Sequence, residues 1–228
     1  MENFYKNQNI VVTGGLGLIG SFLCRELINS GAKVILIDDE SKGSWKYIPE
    51  LRDQVQYRRV DLGDAKAALE SVTGADYIFH LASRAYGVGF SQKNNFEMFR
   101  FNDLVNTNVL DAIAHHAPKQ ALVVSSSCVY SDDGPTPMPD CQPIFGEPER
   151  VNWGYGWAKR ILEQKAVIYQ KETGIPLTVV RPFNIYGEHY NWVGENSQAI
   201  PMLVKRVMER EDPMVVWGSG NQRRNYMH

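Results

Sequence analysis

Six short apolar runs rich in β-branched residues recur along the chain: "NIVVTG", "KVILID", "VQYRRVDL", "DYIFHLAS", "ALVVSSS" and "LTVVRPFN". Side chains of that kind are stiff in a helix and pack well on a pleated surface. Between these runs lie longer stretches with helical spacing, at Ile19 to Ser30, Phe96 to His115 and Tyr155 to Thr173. This alternation predicts repeated βαβ units, hence an α/β protein built on a doubly wound parallel sheet. Gly31, Gly74, Pro118 and Gly174 sit at the seams, where helices are expected to stop.

Composition narrows the range of partners. A chain of 228 residues, 43% of them hydrophobic, can bury one substantial core. Its formal net charge is -2 and it has no long Lys/Arg block, so nucleic acid and anionic lipid are not expected partners. The opening "MENFYKNQNI" lacks an apolar centre, and no apolar segment reaches the roughly 18 residues that span a bilayer. The expected location is the cytoplasm. Three cysteines, Cys24, Cys128 and Cys141, without close spacing, suit reduced thiols, and no structural metal is expected. After Pro182 the character changes, which suggests a dinucleotide-binding part over 1–182 and a partial substrate-binding part over 183–228. In the second part "AIPMLVKRVMER" reads as a helix and "PMVVWGSG" as a short strand with a turn.

The first strand runs directly into "GGLGLIG", where Gly14, Gly17 and Gly20 precede a helix. A glycine triplet in that context lets backbone approach a pyrophosphate at a helix N-terminus, with Leu18 and Ile19 in the same turn. The second strand ends in "LIDDE", placing Asp38 about 20 residues beyond the glycines, where a carboxylate can accept hydrogen bonds from both ribose hydroxyls. Asp39 competes for this role. A carboxylate there repels a 2′-phosphate, which favours NAD over NADP. Farther on, Tyr155 and Lys159 stand four residues apart on one helix face, a spacing suited to proton abstraction. A nearby ammonium favours the phenolate, so Lys159 is expected to bring the Tyr155 hydroxyl toward operating pH.

Taken in order, "TGGLGLIG", "LIDDESKG", "VDLGD", "HLAS", "SSSCVY", "YGWAK" and "RPFNIYG" resemble the motifs of extended short-chain dehydrogenases acting on nucleotide sugars, over nearly the whole chain. The resemblance implies a Rossmann-like fold and an epimerase-type enzyme that retains NAD. It puts Asp61 and Leu62 beside the adenine, Leu81, Ala82 and Ser83 along the ribose and phosphates, and Pro182 to Ile185, including Asn184, against the nicotinamide. Lys159 also holds the nicotinamide ribose. Counting back four from Tyr130, as the family motif does, selects Ser126 as the hydroxyl that meets the substrate alcohol, with Ser127 in reserve at the substrate. Asn184 touches the sugar nucleotide, and Arg224, in "GSGNQRRNY", is the guanidinium that forks onto its diphosphate. Where relatives carry an acid, this chain has Asn225, a departure that weakens the expected positioning of Arg224. Arg181 is expected to tie down structure, and His80 to be a satisfied strand-end histidine.

The nearest resemblances are to UDP-glucose 4-epimerase, GDP-mannose 3,5-epimerase and GDP-fucose synthase types. Dehydratases of the group carry an Asp-Glu pair where this chain has Ser127 and Cys128, so dehydration is disfavoured. The main expectation is oxidation of a sugar hydroxyl at C4, rotation of the keto sugar and return of the hydride, with a GDP- or UDP-linked sugar as substrate. Cys128 and the segment "YGVGFSQ" also match the 3,5-epimerases and keto-sugar reductases of GDP-sugars. In that reading Val193 falls where the second acid/base belongs, with His189 or Glu195 as substitutes. A catalytically silent NAD-binding regulator is the alternative of another class. The family continues past "RRNYMH", leading to the expectation that part of a substrate lid is missing. By analogy the two long helices pair with their mates in a homodimer.

Overall fold

The computed structural model describes residues 4–135, 137–138, 145–190, 197–216, 218–220 and 223–228. Its centre is a six-stranded parallel sheet in the order β3-β2-β1-β4-β5-β6. Those strands are β1 (Asn9–Thr13), β2 (Lys33–Asp38), β3 (Gln56–Arg59), β4 (Tyr77–His80), β5 (Gln120–Val124) and β6 (Leu177–Val180). The helices between them are α1 (Leu18–Asn29), α2 (Ala65–Ser71), the short α3 (Val88–Lys93), α4 (Asn95–His116) and α5 (Trp153–Thr173). The expected doubly wound architecture is therefore present, and the strand order reverses between β1 and β4.

Period-two alternation explains how one sheet serves two cores. Ile10, Val12, Val34 and Leu36 point to the side where Cys24 and Leu27 of α1 pack. Val11, Ile35, Ile37, Ile78 and Val123 point to the opposite side, against Val105, Val109 and Ile113 of α4 and Leu162 and Ala166 of α5. Gly174 ends α5 at φ 73° and Gly31 follows α1 at φ 79°, the left-handed conformation that glycine adopts without strain.

Within "YGVGFSQ", α3 begins after Gly87, whose extended backbone starts the turn. One expectation changes. The residues Pro213 to Val216 of "PMVVWGSG" form no strand, and Arg206 donates to the carbonyl of Val215, while Trp217 lies outside the described residues. Strand pairing in this part goes instead to β7 (Asn184–Ile185) and β8 (Tyr226–Met227), which are parallel. The helix over this part is α6 (Ala199–Met208). Among the described residues no helix is long and apolar enough to cross a membrane.

The close approach of α5 to the start of α4 fixes where the first turn of α5 can sit. A Cβ on Gly154 would lie 2.0 Å from the carbonyl oxygen of Asn95 and 2.7 Å from its carbon, and Gly154 N donates to Asn95 Oδ1 at 2.8 Å. Backbone cannot swing aside as a side chain can. Gly154→Ala is expected to destabilise the fold by about 2 kcal/mol, as overpacking does, and to lower Tm by roughly 5 °C. A thermal melt unchanged by the substitution contradicts this packing.

Candidate active site

The carboxyl ends of β1, β2, β4, β5 and β6 open onto one cleft of about 990 Å³. Every residue expected to touch cofactor or substrate lines it: Gly14, Gly17, Leu18, Ile19, Gly20, Asp38, Asp39, Asp61, Leu62, Leu81, Ala82, Ser83, Ser126, Ser127, Cys128, Tyr155, Lys159, Pro182, Asn184, Ile185 and Arg224. Such a crevice, at the reversal of strand order, is where open α/β sheets bind ligands.

At one end the glycine turn is built by backbone contact. Gly14 has φ 69°, and a Cβ there would stand 2.9 Å from Ala82 N. A Cβ on Gly20 would fall 2.2 Å from Gly14 O, so α1 starts hard against the turn. Asp38, only 8% exposed, accepts Leu16 N at Oδ2 (3.0 Å) and Glu40 N at Oδ1 (2.9 Å). The carboxylate thus builds the loop as well as facing the cleft, and burial raises its pKa above the ordinary carboxylate value. Asp39 binds Ser41 and lies 3.9 Å from the Arg84 guanidinium. Asp61 caps the turn at Gly63 N (2.8 Å), and the buried Leu62 offers its carbonyl to Asn108 Nδ2 (2.8 Å).

A chain of hydrogen bonds fixes the neighbouring strand end. Thr13 Oγ1 accepts Leu81 N and Ala82 N, each at 3.1 Å, and contacts His80 Nδ1 at 2.8 Å. His80 Nε2 lies 3.1 Å from Asn106 Oδ1, an acceptor, which assigns the ring proton to Nε2 and makes Nδ1 the acceptor from Thr13. His80 is thus the satisfied strand-end histidine. Burial holds its pKa down at about 3.

At the other end, Ser125 N donates to Val180 O (2.8 Å) and Ser127 N to Pro182 O (3.0 Å), so parallel pairing continues past the formal strand ends. That extension carries Ser126 into the cleft and stops in a 3-10 turn over Ser127–Val129, where Cys128 N donates to Ser126 Oγ at 3.2 Å. Ser125 is buried and donates to Glu163 Oε1 (2.5 Å), a structural role. Arg181 holds the same glutamate with two bonds of 2.7 and 2.6 Å and donates to Tyr130 OH at 3.0 Å, so it ties down structure as expected.

Tyr155 and Lys159 enter from α5, 9% and 2% exposed. The Tyr155 hydroxyl lies 3.4 Å from Ser83 Oγ. Lys159 Nζ donates to Val124 O at 2.7 Å and stands 5.6 Å from the centroid of the Tyr155 ring. The expected lowering of the phenol pKa does not result. Burial pushes the Tyr155 phenol up, and bonds from Ser83 and Ser126 only partly oppose it. The ammonium is directed at a carbonyl instead of the phenol oxygen, and burial lowers its own pKa to about 8.

Several site residues escaped the motifs. Asn102 of α4 accepts Ser83 Oγ (2.9 Å) and Arg84 N (3.0 Å) and donates to Arg84 O (3.1 Å) and Met98 O (2.7 Å), locking the segment beside Tyr155. Arg84 lies over the Phe101 ring at 3.5 Å, and its Nε is buried without a hydrogen-bond partner. Its position directly after "HLAS" was the available signal. Glu149 lines the same cleft near Cys128. Burial and that carboxylate both push the half-buried Cys128 thiol up, which suits a proton donor better than a thiolate.

His189 is not placed as the second acid/base. Its ring is stacked between Phe22 (4.7 Å) and Tyr47 (4.6 Å), and Nδ1 lies 2.7 Å from Ser21 Oγ. These contacts make it a clamp onto α1. Val193, Glu195 and Cys141 lie outside the described residues. Asn184 turns its amide to Asn225 O (3.0 Å), so it holds the segment carrying Arg224.

The residues present fit a dinucleotide. The glycine turn leaves no room for a Cβ, the unpartnered Arg84 Nε suits an anion, and a carboxylate closes β2. Comparison with known proteins agrees in kind. A family model described as "NAD dependent epimerase/dehydratase family" matches residues 10–228. The UDP-N-acetyl-alpha-D-glucosaminuronate decarboxylase of Bacillus cytotoxicus is 31% identical over 97% of this chain and 67% of its own. GDP-mannose 3,5-epimerase 1 of Oryza sativa subsp. japonica is 28% identical over 99% of this chain, which spans 60% of that relative. A solved UDP-N-acetylglucosamine 4-epimerase from Methanobrevibacter ruminantium, in complex with UDP-N-acetylmuramic acid, superposes with TM-score 0.85 at 26% identity, covering 97% of this chain and 69% of the other.

His80 generates a stability prediction. The unfolded chain takes up a proton near the ordinary histidine pKa of 6.5, whereas the folded one resists until about 3. The stability from neutral His80 is complete above 6.5 and is lost as pH falls toward 3. Between pH 7.5 and 5 this amounts to about 2 kcal/mol. Urea unfolding across that range should show the loss in the wild type and a correspondingly shallower slope in His80→Asn. Equal slopes contradict the assignment.

Proposed function

Because this chain belongs to the NAD dependent epimerase/dehydratase family, we propose that it is an NAD-dependent nucleotide-sugar epimerase-type enzyme that oxidises a sugar hydroxyl, at C4, and re-reduces the ketone. One observation carries the reading: Ser126, Tyr155 and Lys159 converge at one end of a cleft whose other end is a glycine turn. A binding module needs the turn but not the proton-transfer set. In this reading Gly14, Gly17, Leu18, Ile19 and Gly20 hold the pyrophosphate. Asp38 and Asp39 face the adenosine ribose, with Asp61 and Leu62 at the adenine. Leu81, Ala82 and Ser83 border the middle, and Lys159, Pro182, Asn184 and Ile185 the nicotinamide end. Residues 183–228 form part of the substrate-binding region.

NAD held by these residues would supply a reversible hydride acceptor for the sugar carbon. Tyr155 takes the proton of the sugar hydroxyl, so that the O–H electron pair can form the C=O bond as the carbon is oxidised. Ser126 donates a hydrogen bond to the same oxygen while it carries charge. Lys159, charged at neutral pH with a pKa of about 8 and bonded to Val124 O, seats α5 so that Tyr155 meets the sugar hydroxyl. If the keto sugar is reduced on its other face, Tyr155 gives its proton back to the same oxygen.

Cys128 favours a second reading. Its thiol, raised by burial and by Glu149, lies in the cleft beside Ser126 and could exchange a proton at the carbon next to the ketone, giving 3,5-epimerisation; reduction of a keto GDP-sugar would further need a reduced nicotinamide as hydride donor. Val193 in the second acid/base position speaks against it.

Incubation with UDP- and GDP-sugars in deuterated water separates the readings by proton NMR. Inversion without deuterium beside the ketone is expected, since the migrating hydrogen never meets solvent. Deuterium entering there supports the Cys128 route, and neither inversion nor exchange with any such sugar contradicts both. Tyr155→Phe is expected to cut turnover by about 10²–10⁴ while keeping NAD affinity. Unchanged turnover removes Tyr155 as the base.

A further inference from the structure

The acid missing at Asn225 has a counterpart elsewhere in the fold. Residues 223–228 dock on Asn184 to Tyr186: Asn184 pairs with Tyr226 and Ile185 with Met227, while Tyr186 N donates to Met227 O at 2.9 Å. This places Arg224 on the cleft rim, with Nη1 donating to Arg223 O (3.0 Å) and Nη2 to Glu149 Oε1 (3.3 Å). Glu149 is the better anchored partner, its side chain 17% exposed against 48% for Arg224. Asn152 Nδ2 donates to Glu149 Oε2 at 2.8 Å, and Glu149 N donates to Cys128 O at 3.2 Å. A Cβ on Gly156 would lie 2.6 Å from both Cys128 O and Pro148 Cβ, so α5 closes tightly over this junction. The carboxylate is therefore seated on the end of the serine strand and the start of α5, whereas the guanidinium hangs from a two-residue strand.

The geometry assigns Glu149 as a positioning residue: it holds the Arg224 guanidinium at the rim beside Cys128, so that the remaining donors of that fork meet an anionic, diphosphate-type group of the substrate. The assignment rests on the nucleotide-sugar reading above. Two of the five donors of the guanidinium are engaged, by Arg223 O and Glu149 Oε1. An arginine fixed before the ligand arrives loses less rotamer freedom on binding. Arg223 and Arg224 both line the cleft that Glu149 lines, so the two guanidinium groups outnumber that carboxylate. The charge that relatives place next to the arginine in sequence is here supplied across a gap of 75 residues.

Calorimetric titration of UDP and GDP into NAD-saturated protein tests this, using wild type, Glu149→Gln, Arg224→Ala and the double variant. Loss of one charge-assisted contact is expected to weaken binding about tenfold in Glu149→Gln. The double variant should bind no more weakly than Arg224→Ala alone, because the carboxylate acts through the guanidinium. NAD affinity, unchanged throughout, reports folding. Glu149→Asp, which keeps the charge but withdraws it by one methylene, should give a partial loss and serves if Glu149→Gln does not fold. Additive losses in the double variant overturn the assignment, as does tighter binding in Glu149→Gln, which makes Glu149 a competitor of the ligand. If wild type binds neither nucleotide, the nucleotide-sugar reading itself fails, a result distinct from additivity.

Discussion

A fully buried ammonium ties α5 to β5. Lys159 is among the largest side chains wholly inside the protein, and its Nζ reaches Val124 O at 2.7 Å. A charge taken out of water is costly unless it is bonded, so this contact fixes the roll of α5 against β5. Tyr155, Lys159 and Glu163 follow at four-residue steps and share one face of α5. Glu163 is satisfied in turn by Arg181 and Ser125. The helix thus presents a polar stripe to the ends of β5 and β6, and the phenol on it faces the cleft beside Ser83, at 3.4 Å, and Ser126.

The opposite end of the cleft is built by different means. There the chain removes side chains instead of pairing them, and backbone comes within reach of backbone at Gly14 and Ala82. Thr13 and His80 keep that contact in register from β1 to β4. The two ends lie in one crevice because strand order reverses between β1 and β4, and the proposed reading gives the phosphates to one and the proton transfer to the other. The rim residues Glu149 and Arg224 add a charged edge on the substrate side.

Much of this was legible in the residues. Apolar runs such as "NIVVT" and "KVILI", alternating with helical stretches, predicted a doubly wound parallel sheet, and the two cores divide those side chains as period two requires. The glycine spacing and the Tyr155 to Lys159 step were equally plain, since both depend on local geometry. What stayed hidden depends on contacts distant in sequence. Glu149 carries no motif, and only the fold brings it to Arg224. His189 looked like a free acid/base until Phe22 and Tyr47 enclosed it. The direction of the Tyr155 shift was misread because spacing shows that a lysine is near but not that its ammonium is turned to a carbonyl. "PMVV" reads as a strand by composition, yet no strand pairs with it among the described residues.

Rapid mixing of NAD-loaded protein with UDP- or GDP-linked hexoses, followed by the absorbance of reduced nicotinamide, tests most directly whether the buried ammonium serves alcohol oxidation. Wild type should show the band rise and settle as the ketone forms and is reduced again. In Lys159→Met, which removes the charge but keeps the volume, the band should be absent even at NAD concentrations that saturate the folded variant. A band of the same size and rate in Lys159→Met contradicts the role assigned to that lysine and to the phenol beside it.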